Sequence, residues 1–264
     1  MSATFDLRDR VALVTGGSSG IGAAICREFA SHGARVGINY KSGGARARDL
    51  VAEISASGAE ADGFGADVSK PAEVAAMFAQ LDERWGSIDI LVNNAGIEED
   101  RELAWDDDLD LDAWRAVIEV NLFGSFLCSR EALRRMVPAR TGVIIYNTSV
   151  HEALPWAGHS AYNSSKAGTA MLMKTLAQEA APHGVRLASV APGAIKTPIN
   201  EDAWNDPEGR KDLQSKIPTQ RIGDPAEVAR TVAFLASDAA SYVTGATLFV
   251  DGGMMLYPAF QQGG

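Results

Sequence analysis

Cysteine is scarce in this chain: there are two in 264 residues, Cys26 and Cys128, far apart and each among apolar neighbours. A disulfide framework or a zinc site needs more ligands or closer spacing, so both read as reduced core thiols. Basic residues are outnumbered, 24 Lys and Arg against 34 Asp and Glu, for a net charge of -10. No basic run offsets that excess, which argues against nucleic acid as a partner. Long apolar runs are missing too. None approaches the ~18 residues of a membrane span, and the opening MSATFDLRDR has no apolar signal-type segment. The expectation is a cytoplasmic protein. With 46% hydrophobic and 22% charged residues, the composition excludes disordered and collagen-like classes. The length suits one α/β domain over residues 1–264.

Short β-branched runs alternate with helical stretches. Strands are expected at 11–14, 36–40, 59–66, 88–92, 143–147, 185–190 and 247–250. Helices are expected at 19–32, 46–57, 112–137, 160–181 and 225–236. One more opens at Pro71 and ends at Gly86, with Val74, Phe78, Leu81 and Trp85 on one stripe. Such alternation predicts a seven-stranded, doubly wound (Rossmann) parallel sheet with helices on both faces. The stretch 195–218 breaks the rhythm with three prolines and reads as a candidate lid.

The first strand runs into Thr15-Gly16-Gly17-Ser18-Ser19-Gly20-Ile21-Gly22 and then a helix. Glycines let backbone N–H groups approach a pyrophosphate, and a helix amino terminus adds about half a positive charge. An acidic residue expected roughly 20 positions on, to hold a ribose hydroxyl, is absent. The second strand ends instead in Asn39-Tyr40-Lys41-Ser42, where Lys41 can pair with a 2′-phosphate or simply face solvent. Asn93-Asn94-Ala95-Gly96 follows the fourth strand, at the edge where ligands of parallel sheets bind.

Ser149, Tyr162 and Lys166, with Asn121 upstream, form the central constellation. Tyr162 and Lys166 are spaced i, i+4 and share one helix face. A phenol with a pKa near 10 is a poor base, and lowering it about three units takes roughly 4 kcal/mol. A lysine ammonium about 4 Å away supplies about that much at an effective dielectric near 20. An oxidised nicotinamide ring adds further positive charge. Ser149, just past the fifth strand, is placed to hold a substrate oxygen. Asn121 falls on a buried stripe with Trp114, Val117 and Ile118, and its polar side chain calls for a partner, such as a water leading to Lys166.

In this order and spacing, Thr15 to Gly22, Asp67-Val68, Asn93 to Gly96, Asn121, Ser149, Tyr162 with Lys166, Pro192-Gly193 and Thr197 resemble the short-chain dehydrogenase/reductase family. The resemblance covers residues 11–253 and implies NAD or NADP binding, with both accepted here. It implies cofactor contacts from Gly16, Ser18, Ser19, Gly20, Ile21, Lys41, Asn94, Gly96, Pro192 and Gly193. Asp67 and Val68 would lie near adenine, Lys166 on the nicotinamide ribose, and Ile195 and Thr197 at the carboxamide. Tyr162 would act as acid/base. A narrower likeness is to the bacterial glucose 1-dehydrogenase group. It is carried by Asn39 to Ser42, Ser149-Val150-His151-Glu152 with Pro155-Trp156, residues 193–200 and the carboxyl-terminal stretch through Gln261. Two departures stand out: Lys41 replaces an expected arginine, and the acidic segment from Glu98-Glu99-Asp100 to Asp112 is rewritten. This likeness implies oxidation of an aldose at C1, a homotetramer, and tails around Tyr257 to Phe260 that reach a neighbouring subunit.

Glu98, Ser149, His151 and Tyr162 are the expected substrate contacts. Asp106, Asp107, Asp108, Asp110 and Asp112 alternate with leucines before a helix and read as solvated charge with an Asp112 N-cap, not as a metal site. Two other readings compete with the sugar dehydrogenase. One is a reductase of ketones or 3-oxoacyl groups; the other is a non-catalytic redox sensor, which would need no acid/base group.

Overall fold

The computed structural model describes residues 5–99, 103–198 and 204–256. Seven strands form one all-parallel sheet: β1 (Val11–Val14), β2 (Arg35–Tyr40), β3 (Ala61–Gly65), β4 (Ile90–Asn93), β5 (Val143–Asn147), β6 (Arg186–Pro192) and β7 (Thr247–Val250). Their spatial order is β3-β2-β1-β4-β5-β6-β7. The helices are α1 (Gly20–Ser31), α2 (Gly44–Ala56), α3 (Pro71–Trp85), α4 (Leu111–Ile118), α5 (Ser125–Ala139), α6 (Ser160–Ala180), α7 (Pro207–Ser215) and α8 (Pro225–Ala236).

The doubly wound expectation holds, and the reason lies in the strand sequences. Central strands buried on both faces must be apolar at every position. Val11 and Leu13 pack to one side, under α3, α5 and α6; Ala12 and Val14 pack to the other, under α1, α2 and α8. Cys26 and Cys128 are buried free thiols, one in each layer. No helix among the described residues is long and apolar enough to cross a membrane.

Strand order reverses at β1, which lies between β2 and β4. A crevice opens at the carboxyl ends of the strands at such a point. Register brings the site residues to that edge: Val14 lies beside both Ile38 and Val92, and Asn93 beside Tyr146. Thr15, Asn94 and Asn147 therefore emerge side by side.

Three local expectations are corrected. The helix expected over 112–137 is interrupted by a π-type turn, Glu119–Gly124, between α4 and α5. Gly124 packs onto Val68 there, and a Cβ at Gly124 would lie 2.9 Å from a Val68 methyl. The N-cap of α4 is Asp110, not Asp112: its carboxylate accepts from the amides of Asp112 and Ala113 at 2.9 and 3.0 Å. The irregular 195–218 stretch contains α7, which Asp206 caps from Gly209 N at 2.7 Å. Ile199, Asn200 and the tail from Tyr257 onward, which carried part of the narrower likeness, lie outside the described residues.

Candidate active site

The Gly-rich turn is held from below. Gly16 N donates to Asn39 Oδ1 at 3.2 Å, and Asn39 Nδ2 donates to the carbonyls of Phe64 and Ala66, both at 3.1 Å. From the other side Asn94 Nδ2 donates to Thr15 O at 2.9 Å and Gly16 O at 3.2 Å. Thr15 Oγ1 accepts from the amides of Asn94 and Ala95. The Asn94 side chain thus serves the turn itself, while Gly96 lies by the lysine: a Cβ there would stand 3.4 Å from Asn121 Oδ1 and 3.6 Å from Lys166 Nζ. Gly16 and Gly20 have φ of +60° and +52°, a region that L side chains rarely adopt. A Cβ at Gly22 would collide with the carbonyl oxygen of Gly16.

Above the turn, Ser19 precedes α1 and its side chain makes no capping hydrogen bond. The first amides of the helix are therefore available to an anion. Thr197 and Pro198 from the segment after β6 come over Gly20: a Cβ there would sit 3.6–3.7 Å from them. Ile195 is buried and bridges to Gly223, while Thr197 O accepts from Trp204 Nε1 at 3.1 Å. Gly193, just past Pro192, lies so close to Asp251 that an added Cβ would fall 2.8 Å from its Cα.

Lys41 does not stand alone in solvent. Its Nζ lies 2.7 Å from Asp67 Oδ2 across the ends of β2 and β3. Burial pushes the Asp67 carboxyl up, but the hydrogen bonds from Lys41 and Ser69 outweigh it and leave the group below its usual value.

The central constellation does assemble. Ser149 lies near enough to the Tyr162 phenol to act on it, its hydroxyl accepting from His151 N at 3.2 Å, and Lys166 Nζ lies 5.5 Å from the Tyr162 ring centre. Lys166 Nζ donates to Asn147 O at 3.0 Å, and Asn147 Nδ2 donates to Asn94 Oδ1 at 2.9 Å. A continuous polar chain therefore joins the lysine to the Gly-rich turn.

Electrostatics correct one expectation. Burial pushes the Tyr162 phenol up to about 12, with Ser149 opposing and Glu98 and Glu99 adding to the rise. Burial also draws the Lys166 ammonium down to about 8, against the charges of Glu152 and Glu98. Desolvation drives both groups toward their neutral forms and outweighs the other influences on each.

Asn121 is buried, as the stripe implied, but its partners differ from those expected. Its Nδ2 donates to Ile97 O at 2.8 Å and Ser165 Oγ at 3.0 Å, and its Oδ1 accepts from Ile97 N at 2.9 Å. It clamps the loop after β4 onto α6 rather than contacting Lys166.

Substrate-side groups surround the phenol. Glu98 is half-buried, and burial, then the charge of Glu99, pushes its carboxyl up. Glu152 has a carboxylate oxygen, Oε2, that is buried without a hydrogen-bond partner among the described residues. His151 stacks on Trp156 with ring centres 4.8 Å apart, and both rings stand edge-on to Tyr162 at 6.2 and 6.3 Å. His151 Nδ1 is engaged with Leu154 O at 3.0 Å, and burial lowers the pKa of the ring.

Sequence reasoning missed Asn39, Asn147 and Glu99 as parts of the site. The first two carried a signal, since each is an amide within or ending an otherwise apolar strand. Glu99 carried none.

Site and fold together define an oxidoreductase of the doubly wound, dinucleotide-binding class. Comparison narrows the class. A family model described as enoyl-(acyl carrier protein) reductase matches residues 16–255. The chain is 46% identical over 259 residues to 3beta-hydroxysteroid dehydrogenase 1 of Eggerthella lenta, covering 98% of each. It is 40% identical to glucose 1-dehydrogenase 2 of Bacillus subtilis, covering 96% of this chain and 98% of that one. The crystal structure of a gluconate 5-dehydrogenase from Burkholderia cenocepacia, in complex with NADP and tartrate, superposes with a TM-score of 0.90 at 35% identity, covering 96% of this chain and 98% of that one. The chain belongs to the short-chain dehydrogenase/reductase family.

Proposed function

We propose that the protein oxidises an aldose, D-glucose first, at C1 to the lactone, using NAD or NADP. The observation that carries the substrate class is the pair of carboxylates beside the acid/base centre. Glu98 is half-buried, Glu152 has a buried oxygen with no hydrogen-bond partner among the described residues, and both act on Lys166. Such a site accepts hydrogen bonds from the hydroxyls of a neutral polyol and repels substrates that carry carboxylates or phosphates. The His151–Trp156 wall offers a flat apolar face of the kind that packs on a sugar ring.

The turn fits a dinucleotide: Gly16, Gly17 and Gly22 leave no room for a Cβ, Gly20 has a positive φ, and Ser19 gives α1 no side-chain cap. Gly16, Ser18, Ser19, Gly20 and Ile21 would hold its pyrophosphate. Lys41, Asp67 and Val68 would hold its adenosine end. Asn94, Gly96, Tyr162 and Lys166 would hold the nicotinamide ribose, and Pro192, Gly193, Ile195 and Thr197 the ring amide. Bound there, the group supplies the acceptor for the hydride from C1. Ser149 holds the anomeric oxygen, and Tyr162 receives its proton as the carbonyl forms. Lys166 and the positive end of α6 stabilise the phenolate. The molecule works as one domain in the cytoplasm and assembles as a homotetramer.

Cofactor choice gives one prediction. Lys41 must turn from Asp67 to meet a 2′-phosphate, so both cofactors should be used. Lys41→Glu should raise KM for NADP about tenfold or more and leave NAD within about threefold. An unchanged ratio of kcat/KM values would mean that Lys41 serves Asp67 alone.

A second concerns pH. Oxidation needs the deprotonated Tyr162–Lys166 pair, and with Lys166 down to about 8 the pair loses its first proton near there. Below that pH, kcat/KM for oxidation should climb about tenfold per unit and then level off. Reduction should show the opposite slope. A flat profile between pH 6 and 8 would exclude a proton-coupled role for the pair.

The aromatic wall also favours a second reading, oxidation of a ring-borne secondary alcohol such as a 3β-hydroxysteroid. The deciding experiment follows cofactor reduction with aldoses, polyols and 3β-hydroxysteroids, and cofactor oxidation with ketones and 3-oxoacyl thioesters. Aldoses should lead. A steroid or ketone that outpaces every aldose overturns the sugar reading.

A further inference from the structure

Helix α6 carries Tyr162 and Lys166, yet the side chain of His159, immediately before it, makes no capping hydrogen bond. The orphan amides of its first turn are taken from a distance. Glu99 Oε1 accepts from Ala161 N at 2.8 Å and from Tyr162 N at 3.2 Å, and Oε2 accepts from Tyr162 N at 3.1 Å. Glu99 is only 9% exposed. It ends the described part of the loop after β4, beside Glu98 and two residues from Ile97, which Asn121 clamps to the same helix.

We propose that Glu99 is a positioning residue for the reaction: it fastens the substrate-side loop to the first turn of α6 and holds a fixed negative charge beside Tyr162. The proposal rests on the acid/base reading of Tyr162 given above. A carboxylate satisfies two helix amides and complements the helix dipole, so the tether is strong for its size. Backbone amide and phenol belong to the same residue, so anchoring the first constrains the second.

The charge has a separate effect. Tyr162 is faced by Glu98 from the same loop, by Ser149, His151 and Glu152 from the segment after β5, and by Lys166 on its own helix. From α4, Trp114 bonds Ser160, while Asp112 and Arg115 are exposed and paired with each other. Among these, Glu99 is the carboxylate hydrogen-bonded to the Tyr162 backbone. It partly cancels the positive end of α6 and keeps the phenol protonated, the form that serves as acid in the reductive direction.

Two substitutions separate tether from charge. In Glu99→Gln an oxygen in the place of Oε1 still takes both amides, but the charge is gone. Oxidation at pH 7 should then be faster by roughly two- to tenfold, with the rising limb displaced to lower pH and reduction no faster. Glu99→Asp keeps the charge but draws it back by a methylene. It should cost about tenfold or more in kcat, leave the limb in place, and speed hydrogen exchange at the Ala161 and Tyr162 amides in the protein alone. A Glu99→Gln profile that coincides with or lies below the parent at every pH overturns the proposal, as does unchanged exchange at those amides in Glu99→Asp. Failure of the acid/base reading is distinguishable, because it appears as activity retained in Tyr162→Phe and leaves the exchange result untouched.

Discussion

Tyr162→Phe is expected to lower kcat for sugar oxidation by at least about a hundredfold while the fold and cofactor affinity stay nearly intact. The ring is held by its packing against His151 and Trp156, which phenylalanine keeps. What it removes is the oxygen beside Ser149 that, in the proposed mechanism, exchanges the proton with substrate. Removing one hydroxyl there should cost no more than about 1 kcal/mol of stability, small beside the catalytic effect. Lys166→Ala gives a contrasting pattern. It should abolish turnover too, but it also takes the Lys166 donor from Asn147 O and removes the contact proposed with the ribose, so cofactor affinity should fall with activity. Stopped-flow turnover together with cofactor titration separates the two. A Tyr162→Phe enzyme that retains more than about a hundredth of parental kcat would require another acid/base group, and the candidates around it, His151 and Glu98, could be tested in turn.

The layered fold was legible because its strands obey a rule that sequence displays directly: burial on both faces leaves apolar runs such as Val11–Val14 and the first four residues of β5, Val143 to Tyr146. Strand ends moved by a residue or two where hydrogen bonding, not hydrophobicity, sets the limit; β6, for example, extends to Pro192 against β7. The π-type turn at Glu119–Gly124 was not legible, since it depends on Asn121 reaching Ile97 and Gly124 meeting Val68, contacts between elements distant in sequence. The same holds within the site. Ser149, Tyr162 and Lys166 follow from spacing on a strand end and a helix face. The pairing of Lys41 with Asp67, and of Glu99 with Tyr162 N across 63 residues, follows only from the folded arrangement. Burial likewise decides the charge states. Lysine and phenol are both desolvated on burial, and for each group this outweighs the charges around it.

Gly22→Ala should be the most damaging single-methyl change in the cofactor turn. The added carbon would overlap the carbonyl oxygen of Gly16 and stand 2.6 Å from Asn94 Nδ2 and 3.0 Å from Gly17 Cα. None of these can give way cheaply. Gly16 is fixed through Asn39 and Asn94, and Asn94 is fixed through Thr15 and Asn147. Relief would have to move the turn as a unit away from α1, separating the helix amides from the glycine backbone proposed to share the pyrophosphate with them. We expect cofactor affinity to fall by at least about thirtyfold, equivalent to roughly 2 kcal/mol of binding energy. Stability should fall by about 1–3 kcal/mol, in the range for overpacking a buried site. Gly63→Ala is the matched control: it lies on the edge strand β3, where a Cβ meets only Tyr40 at 3.4 Å, an ordinary contact. That variant should bind cofactor like the parent. Isothermal titration with NADP and thermal melting of the two variants test the argument. If Gly22→Ala binds within about threefold of Gly63→Ala, the turn does not hold the pyrophosphate in the way that its glycines and uncapped helix indicate.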